Sequence, residues 1–471
     1  MPTTDLSRLS AQISAIAPMR RIGRVSAVSA GVIQVRGLAR FARIGDQLNL
    51  SRQDGQTIGG EVVRMDQDVL MMLPDGPYEG VSLGDAVALC SPASIAPTAA
   101  WIGRVVDPFG RPLDGRPLLR GAVARPLQAP PPPPGQRRAM GDRLETGLAA
   151  TNTFLPVVRG QRMGLFAGSG VGKSSLLAHL ARQMQADVVV IALIGERGRE
   201  LRDFVEETLG RDGMRRAVVV AATSDQSALA RRRCGWTAMA IAEFFRDQGR
   251  QVLLLADSIT RFAEAHREVA VAGGEAPALR GFPPSTAHMI MSLCERAGPG
   301  VDGTGDITGI FSVLVAGSDM DEPIADILRG VLDGHIVLDR SIAERGRYPA
   351  IDVLKSVSRS LPAAASAEEN TLLIEARKLM GTYDRSEMMV RAGLYAPGSD
   401  IILDQAVAAW PELDDFLGQA EAQNAAASFA RLGLILRRAR AAMRQPVQAG
   451  TGKPPQASAR LQQGQGNRGR A

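Results

Sequence analysis

The chain has little that could act through sulfur, through aromatic rings or through a membrane-spanning segment. Three of its 471 residues are cysteines (Cys90, Cys234 and Cys294), far apart and at no metal-ligand spacing. That excludes a disulfide framework and a thiolate metal site, and predicts reduced, mostly buried thiols in a cytoplasmic protein. No run of about 18 uncharged apolar residues occurs, so no segment is expected to span a membrane. The first twenty residues lack the basic-then-apolar order of a secretory signal. Acidic residues are missing from the C-terminal end: nine basic residues and no acid follow Glu421. Residues 1–421 hold 46 basic and 49 acidic groups, a net of −3, so the +6 of the whole chain resides in its tail. A basic body would indicate a nucleic-acid binder, and a nearly neutral one does not.

What is present falls into segments. Leu6, Leu9, Ile13 and Ile16 recur at helical spacing over residues 5–16 behind Thr4 or Asp5, and Pro18 stops the pattern. From about 21 to 91, segments such as Arg24–Val35 and Gln56–Met65 alternate apolar and polar residues between glycine-rich turns, as a small β-barrel does. The proline run within Ala129–Gly135 reads as a stiff extended connector. Arg162–Ala167, Val188–Ile194, Ala217–Ala221, Val252–Ala256, Phe311–Ala316 and His335–Leu338 are short apolar runs alternating with helical patterns. Such an alternation predicts an α/β domain whose parallel sheet is covered on both faces. Helical spacing returns from 366 to about 444, and Gln445–Ala471, rich in Gly, Pro and Gln, is expected to be disordered.

The strongest chemical signal is Ala167-Gly168-Ser169-Gly170-Val171-Gly172-Lys173-Ser174-Ser175, a P-loop with Ala in place of its first glycine. A strand leads in, and a helix with Leu176, Leu177, Leu180 and Met184 on one face follows. The glycine-rich turn lets backbone N–H groups converge on phosphate at the positive end of that helix. Lys173 would reach the β- and γ-phosphates of ATP, and the Ser174 hydroxyl would hold Mg²⁺. The run Val252–Ala256 ends in Asp257, which puts a second metal-side carboxylate at the C-terminal edge of a strand, where ligands of α/β sheets bind. Glu196 also follows an apolar strand, so it can serve as the base that activates water. By spacing alone it reads more readily as a helix-opening partner of the dipole.

Gly168–Ser174, Gly195-Glu196-Arg197, Asp257–Arg261 and Tyr348–Asp352 resemble the catalytic heads of rotary ATPases. Phe166–Gly170, Ala192–Glu200, Phe282–Ser285 and Val313–Asp319 look most like the export ATPases of type III secretion, whose flagellar branch is the nearest in wording at Arg329–Leu338 and Val357–Arg359. The resemblance implies a RecA-like P-loop domain with a small N-terminal β-barrel and a C-terminal helical domain. The expected boundaries are 1–20 for the N-terminal helix, 21–92 for the barrel, 93–360 for the ATPase domain, 361–444 for the helical domain and 445–471 for the tail. It implies that Glu196 is the catalytic glutamate and that Arg197 fixes the γ-phosphate or the Glu196 geometry. Tyr348, otherwise a core tyrosine beside a proline, would stack on adenine. Arg359 would be an arginine finger given to the neighbouring subunit, so the active form would be a homohexameric ring. Expected partners are a stator-like regulator at the N-terminal helix, a central stalk protein at the C-terminal helices, and an export gate with substrate–chaperone complexes at the cytoplasmic face of the inner membrane. The same machine in a virulence injectisome is the alternative.

A ring-shaped RNA motor shares this core but stacks bases on aromatics. Aromatics are 4% of this chain, and Arg21–Ser91 holds only Phe41 and Tyr78. A non-catalytic nucleotide-binding subunit is opposed by Glu196 beside Lys173 and Asp257. Leu432, Leu434, Ile435 and Leu436 among the C-terminal arginines admit attraction to acidic lipid, and a solvated extension accounts for the tail as well.

Overall fold

The computed structural model describes residues 20–29, 31–315, 322–421 and 423–442. The helix read over 5–16, the tail 445–471 and the end of the Val313–Asp319 motif lie outside the described residues.

Six strands close the N-terminal barrel: β1 (Ile22–Ser29), β2 (Val32–Arg36), β3 (Gln47–Ser51), β4 (Thr57–Met65), β5 (Val69–Pro74) and β6 (Ala86–Leu89). Their alternation sets the inside: Val25, Ile33, Val35, Leu48, Leu50, Val62, Leu70, Met72 and Val87 are buried in one core. The alternating segment Arg24–Val35 spans the hairpin of β1 and β2. Gly31, at φ +82°, turns it between β1 and β2, which pair antiparallel. A turn of this kind needs the left-handed region that glycine enters without strain.

Two short strands, β7 (Ser94–Ile95) and β9 (Arg125–Pro126), pair outside the main sheet. That sheet holds β8 (Arg104–Val106), β10 (Arg162–Ala167), β11 (Val188–Glu196), β12 (Ala217–Thr223), β13 (Val252–Asp257), β14 (Ile307–Leu314), β15 (Gly334–Leu338) and β16 (Val357–Ser358). Its order is β16-β15-β10-β14-β13-β11-β12-β8, parallel except for the antiparallel edge strand β16. The run read as Phe311–Ala316 begins four residues earlier, at Ile307, because Gly309 and Thr308 interrupt its apolar texture without interrupting its pairing. β8 has only three residues and escaped the sequence reading.

Both faces of the sheet are covered. One carries the helix Lys173–Gln183 and the C-terminal helices, with Leu176, Leu177, Leu180, Leu379 and Phe416 in a shared core. The other carries the helices Ala228–Arg246, Ile259–Ala272, Ser285–Glu295 and Pro323–Val331. Three helices end the described chain: Ala367–Arg391, Ile401–Gly418 and Ala425–Ala442. The first starts from a capping box, Ser366 with Glu369, and Glu369 also pairs with Arg143, ahead of β10, at 3.2 Å.

The last helix uses most of the leucines of the lipid reading in its own packing. Leu432, Ile435 and Leu436 share one helical face and are buried in the core, leaving Leu434 as the exposed member of the four. Arg431, Arg438 and Arg440 pair with Glu421, Glu412 and Glu375. The apolar half of a membrane contact is thus already used in packing. Among the described residues no helix is long and apolar enough to cross a membrane.

Candidate active site

Parallel strands present their C-terminal ends on one side of the sheet, and the functional side chains gather there. β10 ends at Ala167, and Lys173 at the end of the P-loop reaches Asp257 on β13, two strands away. Gly170 and Gly172 take φ of +77° and +88°, and Gly172 is the residue from which the helix Lys173–Gln183 starts. A side chain at Gly172 would meet the Tyr348 ring at 3.2 Å. Tyr348, 53% exposed, therefore lies against the phosphate loop rather than in a core.

Asp257, at the end of β13, is 3% exposed. A buried carboxylate without partners costs several kcal/mol. This one is satisfied twice at Oδ1: the Lys173 ammonium donates to it, and the Ser312 hydroxyl donates at 2.6 Å. Ser312, itself fully buried on β14, stands level with Asp257, since Ala256 pairs with Phe311. The same Lys173 Nζ lies 4.0 Å from Oε1 of Glu196. The structure thus brings Lys173, Asp257 and Glu196 together around one ammonium group.

Glu196 follows Gly195, whose φ of +72° falls where the register of β11 shifts against β12. Burial, the nearby Asp257 carboxylate and the Glu200 carboxyl push the Glu196 carboxyl up to about 7, with Lys173 opposing. Such a value suits a general base working near neutral pH. Arg197, by contrast, is 81% exposed in its side chain and pairs with Glu200 at 2.9 Å, away from Lys173 and Asp257.

Arg359 lies at the other end of the sheet. Its backbone N–H donates to the Asp333 carbonyl, and that of Asp333 to the Arg162 carbonyl, so Arg359 is level with the start of β10. Arg162 and Ala167 are five residues apart, roughly 17 Å along a strand. The exposed Arg359 guanidinium donates to the Arg329 carbonyl at 3.2 Å, on the last turn of Pro323–Val331.

Ser174 and Ser175 are exposed at the start of the P-loop helix. The Ser174 hydroxyl and the Asp257 carboxylate form an all-oxygen donor pair, the set that a hard cation such as Mg²⁺ takes. Two residues of the site escaped the sequence reading. Ser312 sits within an apolar run and signals only core. Arg340, two residues past the Leu338 that ends β15, donates to the P-loop carbonyl of Ser169 at 3.4 Å.

Residues 147–358 match the model of the ATP synthase alpha/beta family, nucleotide-binding domain, and residues 365–433 match that of the T3SS EscN ATPase C-terminal domain. Over 438 residues the chain is 47% identical to the flagellum-specific ATP synthase of Caulobacter vibrioides, covering 91% of this chain and 98% of that protein. Among solved structures it is similar to the assembled ATPase EscN of the enteropathogenic E. coli type III secretion system. The TM-score is 0.82 at 36% identity, covering 88% of this chain and 100% of that one. EscN in complex with its central stalk EscO matches with a TM-score of 0.79 at 35% identity, over 88% of this chain and 100% of that one. The chain is an ATPase, and it belongs to the ATP synthase alpha/beta family, in the branch of flagellum-specific ATP synthases and type III secretion ATPases.

Proposed function

We propose that this chain hydrolyses ATP in a homohexameric ring to drive substrate–chaperone release and protein export by a flagellar type III apparatus. The observation that carries the chemistry is the convergence of Lys173, Asp257 and Glu196 at one sheet edge. The P-loop N–H groups cradle the phosphates, and Lys173 turns from Asp257 to the β- and γ-phosphate oxygens when nucleotide enters. Ser174 and Asp257 would hold Mg²⁺, which would neutralise charge on the phosphates when bound. Glu196 takes the proton of the attacking water, a role supported by its raised proton affinity. Tyr348 offers its exposed ring to adenine. Arg197 belongs to this reading as the neighbour that holds Glu200, and through it the Glu196 geometry.

Arg359 completes the site of the next subunit. Its distance from its own P-loop along the sheet supports action in trans, and so does the assembled state named for EscN. The complex of EscN with its stalk supports a central stalk partner here as well. A stator-like regulator at residues 1–20, an export gate and a position at the inner membrane complete the proposal. The higher identity to a flagellar relative, 47% against 40% for a type 3 secretion system ATPase of Xanthomonas euvesicatoria, favours the flagellum over an injectisome.

Steady-state ATP hydrolysis against protein concentration tests the composite site. Specific activity should rise steeply with concentration for the wild type and stay near zero for Glu196→Gln. A monomer, confirmed by sizing, that hydrolyses ATP at the full rate would overturn the ring and the role of Arg359. Loss of flagellar assembly on deletion is expected, and a deletion strain that swims normally would overturn the flagellar assignment.

A further inference from the structure

The segment after β15 touches the phosphate loop at two places, and only one of them belongs to the reading above. Ala167 pairs with Leu338 across β10 and β15, so Ser169 and Arg340 each stand two residues beyond the same level of the sheet. There the Arg340 guanidinium, otherwise exposed, reaches the Ser169 carbonyl. Eight residues later the Tyr348 ring lies against Gly172. The base of the segment is fixed: Asp339 is buried, caps the helix Arg340–Glu344 through the Ser341 N–H, and accepts from Lys355 at 2.7 Å. The Lys355 ammonium and the Ser341 hydroxyl and N–H hold the Asp339 carboxyl down to about 2, against the effect of its burial. Arg340 therefore starts from an anchored residue.

The carbonyl it reaches matters because of peptide geometry. In a trans peptide the C=O and N–H of one unit point to opposite sides. A donor holding the Ser169 carbonyl outward turns the N–H of Gly170 inward. Gly170 needs the help: at φ +77° it has no side chain, and a Cβ there would meet nothing within 4 Å. Among the described residues no side chain packs where that Cβ would lie, and glycine's wide conformational range leaves the hydrogen bond on the Ser169 carbonyl to limit rotation of the peptide.

We infer that Arg340 is a positioning residue for nucleotide binding, clamping the Ser169–Gly170 peptide so that its N–H faces the phosphates. It rests on the ATP site proposed above. The clamp acts on the cradle and not on one phosphate, so it serves ATP and ADP alike, and it uses a hydrogen bond rather than net charge.

Calorimetric titration with Mg-ADP and with a non-hydrolysable Mg-ATP analogue, on wild type, Arg340→Ala and Arg340→Gln, separates these features. For Arg340→Ala, both affinities should fall by the same factor, about three- to tenfold, as expected for one exposed hydrogen bond of ordinary strength. KM for ATP should rise in step, with kcat at saturation within about twofold. Arg340→Gln, which keeps a donor amide without the charge, should recover most of the loss. The inference is overturned by unchanged affinities in Arg340→Ala, by a loss confined to the ATP analogue, which would make Arg340 a γ-phosphate ligand, or by a Gln variant as weak as the Ala one. Failure of the wild type to bind either nucleotide would sink the proposed ATP site itself.

Discussion

At the C-terminal edge of the sheet Lys173, Asp257 and Ser312 satisfy one another within the chain, whereas at the opposite end Arg359 stands exposed with its guanidinium on a helix-end carbonyl. The first arrangement follows from burial. A carboxylate 3% exposed has to be neutralised and hydrogen-bonded where it lies. The second carries no such requirement, because an arginine in water keeps its hydration. The contrast separates what one subunit can build from what it can only offer. On the proposed reading, each chain holds the acidic and phosphate-binding half of a site, and Arg359, on the far end of the sheet, is its cationic complement for a neighbouring chain.

The largest effect should come from the exposed end. Arg359→Ala should lower kcat by about 10³–10⁵ while nucleotide affinity stays close to wild type, as for other fingers that act only on transition-state charge. Mixing Arg359→Ala subunits with Lys173→Ala subunits should restore hydrolysis, because an intact P-loop can then meet an intact Arg359 from the other chain. No activity in the mixture, with mixed rings demonstrated by sizing, would erase the distinction between the two ends.

At the buried end, Glu196→Gln should keep nucleotide binding and lose about 10²–10⁴ of kcat. Lys173→Ala should lose binding itself, since the ammonium is the group the phosphates are expected to take over from Asp257. A Gln variant that turns over at the wild-type rate would remove Glu196 from the chemistry and leave Lys173 and Asp257 as a binding site alone.

How far these two ends were legible in the sequence differs for the same physical reason. The phosphate loop is contiguous: glycines, Lys173, Ser174 and an amphipathic helix follow one another, and the mechanism needs them in that order. Asp257 is legible because an apolar strand ends on it. The barrel and the parallel sheet followed from the two periodicities, although the turn at Gly31 was hidden inside one alternating run and β8 was too short to show a period. Ser312 and Arg340 were not legible. Ser312 matters only because β14 lies beside β13, and Arg340 only because β15 lies beside β10. Strand neighbours are a property of topology, which no local pattern carries. Arg359 could be assigned only through the family resemblance, since an exposed arginine after a short edge strand has no local signature.

A smaller effect tests the electrostatics of the buried end. Glu196 is held up to about 7 by burial, by Asp257 and by Glu200, and it must be ionised to accept a proton. The sign follows: kcat/KM, which reports the free enzyme, should fall about tenfold per pH unit below 7 and level off above it. Glu200→Gln removes one of the groups that raises Glu196, so the midpoint should move to lower pH. A profile flat from pH 5.5 to 8 would mean that a different group limits the reaction.

Ser312→Ala should give the smallest change and the sharpest contrast with Arg359. Its hydroxyl donates to the same Asp257 oxygen that Lys173 uses, at 2.6 Å in a fully buried position. Once Lys173 turns to the phosphates, Ser312 is the donor that remains on that oxygen. Losing a hydrogen bond to a charged group costs about 1.5–3 kcal/mol where the carboxylate cannot recruit water. Part of this should appear as lower thermal stability. The rest should appear as a several-fold rise in the Mg²⁺ concentration that half-saturates hydrolysis, because an Asp257 free to rotate presents its oxygens less often to the metal. Restoring the hydroxyl with Ser312→Thr should recover the Mg²⁺ dependence if the added methyl is accommodated, and unfolding of that variant would show as a lost thermal transition. An Ala variant with unchanged Mg²⁺ dependence and unchanged melting would mean that Asp257 is oriented by Lys173 alone, and that the buried end depends on a single cation much as the exposed end does.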